Sequence, residues 1–157
     1  ADLTLEDWQA TMGVNLTGTF LTFRAALRAG LPDHARLIAI ASTASLKGNA
    51  MVPAYTAAKH GVLGLVRSVA LDLARGTATC NAICPGFVDT DMAETAITGL
   101  MERMEISREK ATRMLVSGNP QGRLIAAEEV TQAALYLASR GAGSVNGHAL
   151  SVSGGET

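Results

Sequence analysis

Apolar and polar positions follow two different rhythms along this chain, and the changes of rhythm mark its elements. From Thr4 to Ala29, the residues Trp8, Met12, Leu16, Phe20, Phe23 and Leu27 recur at helical spacing and predict one helix. Thr4 followed by Asp7 resembles a capping box with a shorter acid in the last place, and Gly30 and Pro32 stop the helix. The run RLIAIAS, Arg36 to Ser42, is nearly continuously apolar and bounded by turn and polar residues. Such a run predicts a strand buried on both faces, as in a parallel sheet. After the loop STASLKGNAMVP, a second helix is predicted from about Tyr55 to Leu73, with Val62, Leu65, Val66, Val69 and Leu73 on one face. Gly76 stands where a C-cap glycine belongs. A second strand is predicted from Thr79 to Cys84, ended by Pro85-Gly86. Residues 91–117 form a Met- and charge-rich helical excursion, Ala127 to Ala138 a further helix, and His148 to Val152 a last strand. Helices alternating with short apolar strands predict an α/β fold: a doubly wound parallel sheet with helices on both faces.

Composition narrows the function classes. The 157 residues suit a single domain, residues 1–157, and at 48% hydrophobic and 17% charged they are not those of a disordered chain. The net charge of −1 offers no basic excess for phosphates, which argues against a nucleic-acid partner. Uncharged stretches such as Leu37–Leu46 and Gly48–Ala58 fall short of the ~20 apolar residues a membrane helix needs, so no membrane partner is expected. The only cysteines, Cys80 and Cys84, share one predicted strand, and four strand steps of about 13 Å exceed the ~7 Å limit between bridged Cα atoms. Free thiols point to a reducing cytoplasm. No second Cys or His pair has ligand spacing, so no metal site is expected.

Four features carry candidate chemistry. Tyr55-Thr-Ala-Ala-Lys59 places a phenol and an ammonium one helical turn apart, on one face. A fixed ammonium about 4 Å from a phenol is worth ~4 kcal/mol at an effective dielectric of 20, or roughly three pKa units. A phenol so placed can exchange protons near neutral pH. The plain alternative is an exposed helix pair, and Tyr-x-x-x-Lys by itself is a weak pattern. Ser42 ends a buried strand, where ligands of open α/β sheets bind, and its hydroxyl can position a substrate oxygen; a loop serine satisfying local backbone is the plain reading. Asn15 sits inside a helix, where its amide competes for backbone groups; it is either a tolerated kink or the holder of a backbone group or water. Pro85-Gly86-Phe87-Val88-Asp89-Thr90 follows a strand directly. Gly86 permits close approach of a ligand, while Val88 backbone groups and the Thr90 hydroxyl suit an amide-bearing or phosphorylated one. An ordinary strand-to-helix turn is the alternative.

Together, Asn15, Ser42, Tyr55, Lys59 and PGFVDT, with EDWQATMGVNLTGTF near the start and GRLIAAEEVTQAALYLAS…NGHALSVSGG near the end, resemble the short-chain dehydrogenase/reductase family over essentially the whole chain. The resemblance implies a Rossmann-like sheet and hydride transfer between NAD or NADP and a small carbonyl or alcohol substrate. It implies that Tyr55 is general acid or base, that Lys59 tunes it and binds the nicotinamide ribose, and that Ser42 and Tyr55 hold the reacting oxygen. By the same likeness Asn15 holds a water linking Lys59 to solvent, and Pro85, Gly86, Val88 and Thr90 lie against the nicotinamide. It implies a substrate loop after Asp91, with Met92, Met101, Met104 and Met114 suited to an adaptable pocket, and a homo-oligomer, dimer or tetramer, formed by the long helices. The tail is similar to members reducing 3-oxoacyl thioesters or related ketones, and Arg103, Arg108, Lys110 and Arg113 either meet a phosphorylated carrier or form a solvated helix face.

Departures from the family pattern set the alternatives. Members have roughly 250 residues, so this chain reads as a C-terminal catalytic portion without the N-terminal glycine-rich turn that holds the cofactor pyrophosphate. GAGSVNG, residues 141–147, follows a helix and precedes a strand, the reverse of the dinucleotide order, and reads as a loop. Ser153 stands where Asp is more frequent, and Thr43 where a second Ser is. Without its neighbour, the Arg36–Ser42 strand is expected to be an exposed apolar edge. The competing hypothesis is a non-enzymatic α/β module acting in assembly or interaction. A serine hydrolase using Ser42 with His34, His60 or His148 ranks last, for want of a G-x-S-x-G elbow.

Overall fold

A computed structural model describes residues 3–157. Helices α1 (Leu5–Met12) and α2 (Gly18–Ala29) run on through a π-helical turn at Gly13–Thr17. The Thr4 hydroxyl oxygen caps α1, accepting from the Asp7 amide at 3.1 Å. Asp7 takes the hydroxyl hydrogen of Thr4 at 2.7 Å, so the cap differs from a capping box, in which the acid reaches back to the N-cap amide. The expected single helix is therefore interrupted, and the interruption is centred on Asn15. Its side-chain amide donates to the Thr11 carbonyl at 3.1 Å, and the Thr19 hydroxyl donates to the Asn15 carbonyl at 3.0 Å. Side-chain bonds of this kind compete with the helical ladder and widen the turn.

The core is a three-stranded parallel sheet in the order β1 (Arg36–Ile40), β2 (Thr79–Pro85), β3 (Ala149–Val152), with Ile40 opposite Ile83 and Cys84 opposite Ser151. This is the Rossmann-like α/β architecture the sequence predicts. β1 ends two residues earlier than expected. One further ladder bond, Ala41 amide to Ile83 carbonyl at 2.7 Å, follows it. Ser42 then caps a 3-10 turn at Thr43–Ser45, its Oγ accepting from the Ala44 amide at 3.1 Å. Every residue of β2 is buried. Because side chains alternate along a strand, Cys80, Ala82 and Cys84 face one side, where they pack with Ala39, Ala41 and the Val62–Val66–Val69 stripe of α3 (Pro53–Leu73). Asn81 and Ile83 face the other, and α6 (Ala127–Ala138) packs against all three strands.

α3 begins at Pro53, two residues before the expected start; proline at the first helical position loses no intrahelical bond. Gly76 is not the expected left-handed cap. The helix closes instead through amide-to-carbonyl bonds from Ala74 to Leu71 at 3.3 Å and from Gly76 to Leu73 at 2.9 Å. The excursion is two helices, α4 (Asp91–Met104) and α5 (Arg108–Leu115), separated at Glu105, whose φ of 52° ends the first. Cys80 and Cys84 are free and buried, and desolvation pushes the Cys80 thiol up to about 12. The 141–147 segment is irregular except for a 3-10 turn at Arg140–Ala142. Its Asn146 ties β2 to α3, accepting from the Cys80 amide at 2.9 Å and donating to the Ala70 carbonyl at 2.8 Å. Among the described residues no helix is long and apolar enough to cross a membrane, and no group of metal-binding side chains is assembled.

Candidate active site

The carboxyl ends of β1 and β2 open on a cleft of about 570 Å³. Asn15, Ser42, Tyr55, Lys59, Pro85, Gly86, Val88 and Thr90 all line it. They reach it from four elements that no single stretch of sequence connects. The π turn delivers Asn15, the end of β1 delivers Ser42, the first two turns of α3 deliver Tyr55 and Lys59, and the end of β2 delivers the rest.

Close packing of the helices brings the first and third of these together. A Cβ placed on Gly61 would lie 2.7 Å from Leu16 Cδ2, so the glycine leaves the room into which the Leu16 side chain of the π turn packs on α3. Lys59 lies half-buried beneath. Its ammonium donates to the Ile40 carbonyl at 3.1 Å and stands 5.5 Å from the centroid of the Tyr55 ring. Burial lowers the Lys59 pKa, partly opposed by the nearby Cys84 sulfur. Ser42 uses its oxygen as an acceptor for the 3-10 turn, which leaves its hydroxyl hydrogen free to donate into the cleft.

The strand end after β2 leaves one residue's backbone groups without a strand partner. Val88 bridges in parallel to Ile125: the Ile125 amide donates to the Phe87 carbonyl at 2.8 Å, and the Asp89 amide donates to the Ile125 carbonyl at 2.9 Å. Backbone groups alternate along an extended chain, so the N–H and C=O of Val88 itself point away from Ile125. The Thr90 hydroxyl reaches the Val88 carbonyl at 3.2 Å. A backbone donor, a backbone acceptor and a hydroxyl thus sit together.

Other candidates fall elsewhere. Of the four methionines of the excursion only Met92 lines the cleft. Arg108 pairs with Glu94, and Arg113 with Glu109 at 2.7 Å, so the basic residues there belong to a solvated helix face. His34 lies in an exposed turn, His60 bonds the Thr56 carbonyl on the surface of α3, and His148 flanks β3; none lines the cleft, which leaves Ser42 without a histidine base. Ser153 is buried and holds the C-terminal turn, bonding the Ser151 hydroxyl at 2.8 Å and accepting from the Thr157 amide at 3.3 Å. Three contributors went unseen in the sequence: the Ile40 carbonyl, Gly61 and Glu156. Only Gly61 had a signal, a glycine inside an apolar helix, which marks close packing.

A parallel α/β sheet with its cleft beyond the strand ends, where ligands of such sheets bind, defines the class. The comparisons name the family. The model described as Enoyl-(Acyl carrier protein) reductase matches residues 1–157, and the chain belongs to the short-chain dehydrogenase/reductase family. It is 37% identical to a Streptomyces coelicolor protein named "Putative ketoacyl reductase", across 99% of this chain and 60% of that one. It is 36% identical to D-beta-hydroxybutyrate dehydrogenase of Rhizobium meliloti, across 99% and 61%. Among solved structures, a variant of actinorhodin polyketide ketoreductase with NADPH superposes with a TM-score of 0.88 at 35% identity, covering 99% of this chain and 60% of that one. The chain therefore spans about 60% of the length of the curated relatives it matches.

Proposed function

We propose that the protein is an NAD(P)-dependent oxidoreductase acting on a carbonyl or alcohol substrate. The observation that carries this is the convergence of Asn15, Ser42, Tyr55 and Lys59 with the Pro85–Thr90 strand end on one cleft. The Val88 backbone and the Thr90 hydroxyl fit a carboxamide, so we place the nicotinamide of NAD or NADP there, against Pro85 and Gly86. When bound, that group supplies or accepts the hydride.

The chain's own residues handle the oxygen and the proton. Ser42 donates its hydroxyl hydrogen to the substrate oxygen and fixes its position. Tyr55 gives its phenolic proton to that oxygen during reduction and takes it back during oxidation. Lys59, held by the Ile40 carbonyl, keeps a positive charge beside the phenol and binds the ribose. Asn15 holds an ordered water that connects Lys59 to solvent. The relatives include a protein named "Putative ketoacyl reductase", which supports a 3-oxoacyl thioester or a related ketone as substrate.

Turnover is to be measured on the protein as encoded, with any residues that precede Ala1 retained. Tyr55→Phe should reduce kcat by about 10²–10⁴-fold, the usual worth of a positioned general acid, while the affinity for NADPH or NADH stays nearly unchanged. Undiminished turnover in this variant defeats the reading. Titrating the wild type with NADH or NADPH and following fluorescence separates it from an assembly module, which would bind neither.

Self-association of the long helices is supported by the exposed apolar side chains Phe20, Leu21 and Leu27 on α2, beside a groove that Leu65 and Val69 of α3 complete. A reducing, cytoplasmic setting is supported by the two free, buried thiols.

A further inference from the structure

Resting on the oxidoreductase reading, we propose that Lys47 is a positioning residue for the reaction: its ion pair with Glu156 latches the turn that carries Ser42 and so holds the Ser42 hydroxyl on the substrate oxygen. The turn is built to move as one piece. The Ala44 amide donates to Ser42 Oγ at 3.1 Å, and the Ser45 amide donates to the Ser42 carbonyl at 2.9 Å. The Leu46 and Lys47 amides both donate to the Thr43 carbonyl, at 2.9 and 3.2 Å. These bonds close within the turn, so they shape it without fixing it to the rest of the fold. Ala44 and Ser45 are buried, yet the Ser45 hydroxyl has no hydrogen-bond partner among the described residues. Burial of the apolar part is non-directional. Lys47 adds direction: its ammonium reaches out of the turn to Glu156 Oε1 at 2.8 Å.

Glu156 is a fixed anchor for that ammonium. Its side chain is only 9% exposed. It is wedged between two glycines: Oε2 stands 3.1 Å from the position a Cβ on Gly86 would occupy, and Oε1 3.4 Å from the corresponding position on Gly118. Gly86 belongs to the strand end after β2 and Gly118 to the turn after α5, so the carboxylate is seated where these two meet. Behind it, Ser153 Oγ accepts from the Thr157 amide at 3.3 Å and bonds the Ser151 hydroxyl of β3 at 2.8 Å. The ion pair thus ties the turn after β1 to groups carried by β2, α5 and β3. Lys47 itself does not line the cleft. Any effect of its removal on turnover must therefore pass through the groups it holds, and its own amide is bonded to the residue that follows Ser42. Misplacing a positioned group by about 1 Å costs on the order of 100-fold in rate.

The test pairs amide hydrogen exchange with steady-state turnover of methyl acetoacetate and NADH or NADPH, on the protein as encoded. Lys47→Met should speed exchange at Ala44, Ser45 and Leu46 by about tenfold relative to Ala82 of β2, because a nearly buried carboxylate is left without its counter-charge. Glu156→Gln, which removes the ion pair without stranding a charge, should speed the same amides by about threefold. In Lys47→Met, kcat should fall about tenfold while KM stays within about threefold, the mark of a contact that counts in the transition state. In a Ser42→Ala background the same substitution should lower kcat by a further factor of about two or less, since the group it positions is gone. Exchange at the turn that is unchanged in both variants, or that rises equally at Ala82, overturns the proposal. A loss of kcat as large in the Ser42→Ala background as in the wild type does so too. If the turn loosens as stated while Ser42→Ala and Tyr55→Phe alike leave turnover unchanged, the latch stands as a tie on the turn and the oxidoreductase reading falls.

Discussion

β1 and β2 are both short, almost wholly apolar strands, yet the fold treats them differently. All seven residues of β2 are buried, whereas β1 is closed on one side only and Ile40 remains 55% exposed. Hydrophobic content does not separate them. Position in the sheet does: β2 has a strand on each flank, and β1 has none beyond it among the described residues. A strand with two neighbours is core, and the same pattern with one neighbour is a surface that another chain segment can pair with. Both strands end on the cleft: β2 runs out into Pro85–Thr90, and β1, the less covered strand, into the Ile40 carbonyl and Ser42.

The sharpest way to break this comparison is hydrogen exchange on the 157-residue chain. The Ala41 amide donates to Ile83, and the Ala35 carbonyl accepts from Thr79, so alternate residues of β1 face β2. The amides of Ile38 and Ile40 therefore point at the open edge. They should exchange near the intrinsic rate, while the Ala39 amide and those of β2 exchange only through global opening, a contrast on the order of 5 kcal/mol or more. Strong protection of Ile38 and Ala39 alike would remove the edge.

Truncation sharpens the same contrast at the level of packing. Ile83 is fully buried, and Ile83→Ala should lower stability by about 2–5 kcal/mol through lost burial and a cavity. Ile40→Ala, its neighbour across the ladder, should cost about 1 kcal/mol or less. Urea unfolding with unchanged slopes reads both. Equal losses would mean that β1 is covered as fully as β2.

What the sequence made legible divides along the same line. Element order was readable, because apolar period is a local property; the eight cleft residues stood out singly as weak local signals, and only the family resemblance joined them into one site. The π turn was not: its apolar residues keep helical spacing on both sides, and only the Asn15 amide hints at the distortion. Nor was Asn81, which looks like a polar blemish in an apolar strand. It is fully buried and donates to the Val145 carbonyl at 2.8 Å while accepting from the His148 amide at 3.0 Å, pinning β2 to the loop before β3. Glu156 and Lys47 lie 109 positions apart in the numbering, and neither has a pattern around it. Local periodicity carries no information about such pairings; they exist only once the C-terminal turn folds against the Ser42 loop.

Lys59 joins the two strands and gives the smallest, most specific test. Its ammonium bonds the Ile40 carbonyl of β1 and lies near the Cys84 sulfur of β2. Desolvation between them lowers its pKa below the ordinary 10.5, with the Cys84 sulfur acting in the opposite sense. The fold therefore disfavours the charged form, and between the lowered pKa and 10.5 the unfolded chain binds more protons than the native one. Stability contributed by this group is flat below that window and rises with pH through it. Lys59→Met removes the titration, together with the Ile40 hydrogen bond. The stability of wild type relative to this variant should accordingly increase as the pH is raised toward 10.5, in the direction linkage requires. Urea midpoints of the two proteins, paired at each pH, cancel the titrating groups that lie away from Lys59; Cys84, which feels its charge, is replaced by Ala in both. A difference that stays constant or falls over that range would show that the ammonium is not desolvated by the junction of β1 and β2, and that this end of the sheet is as open as the β1 edge.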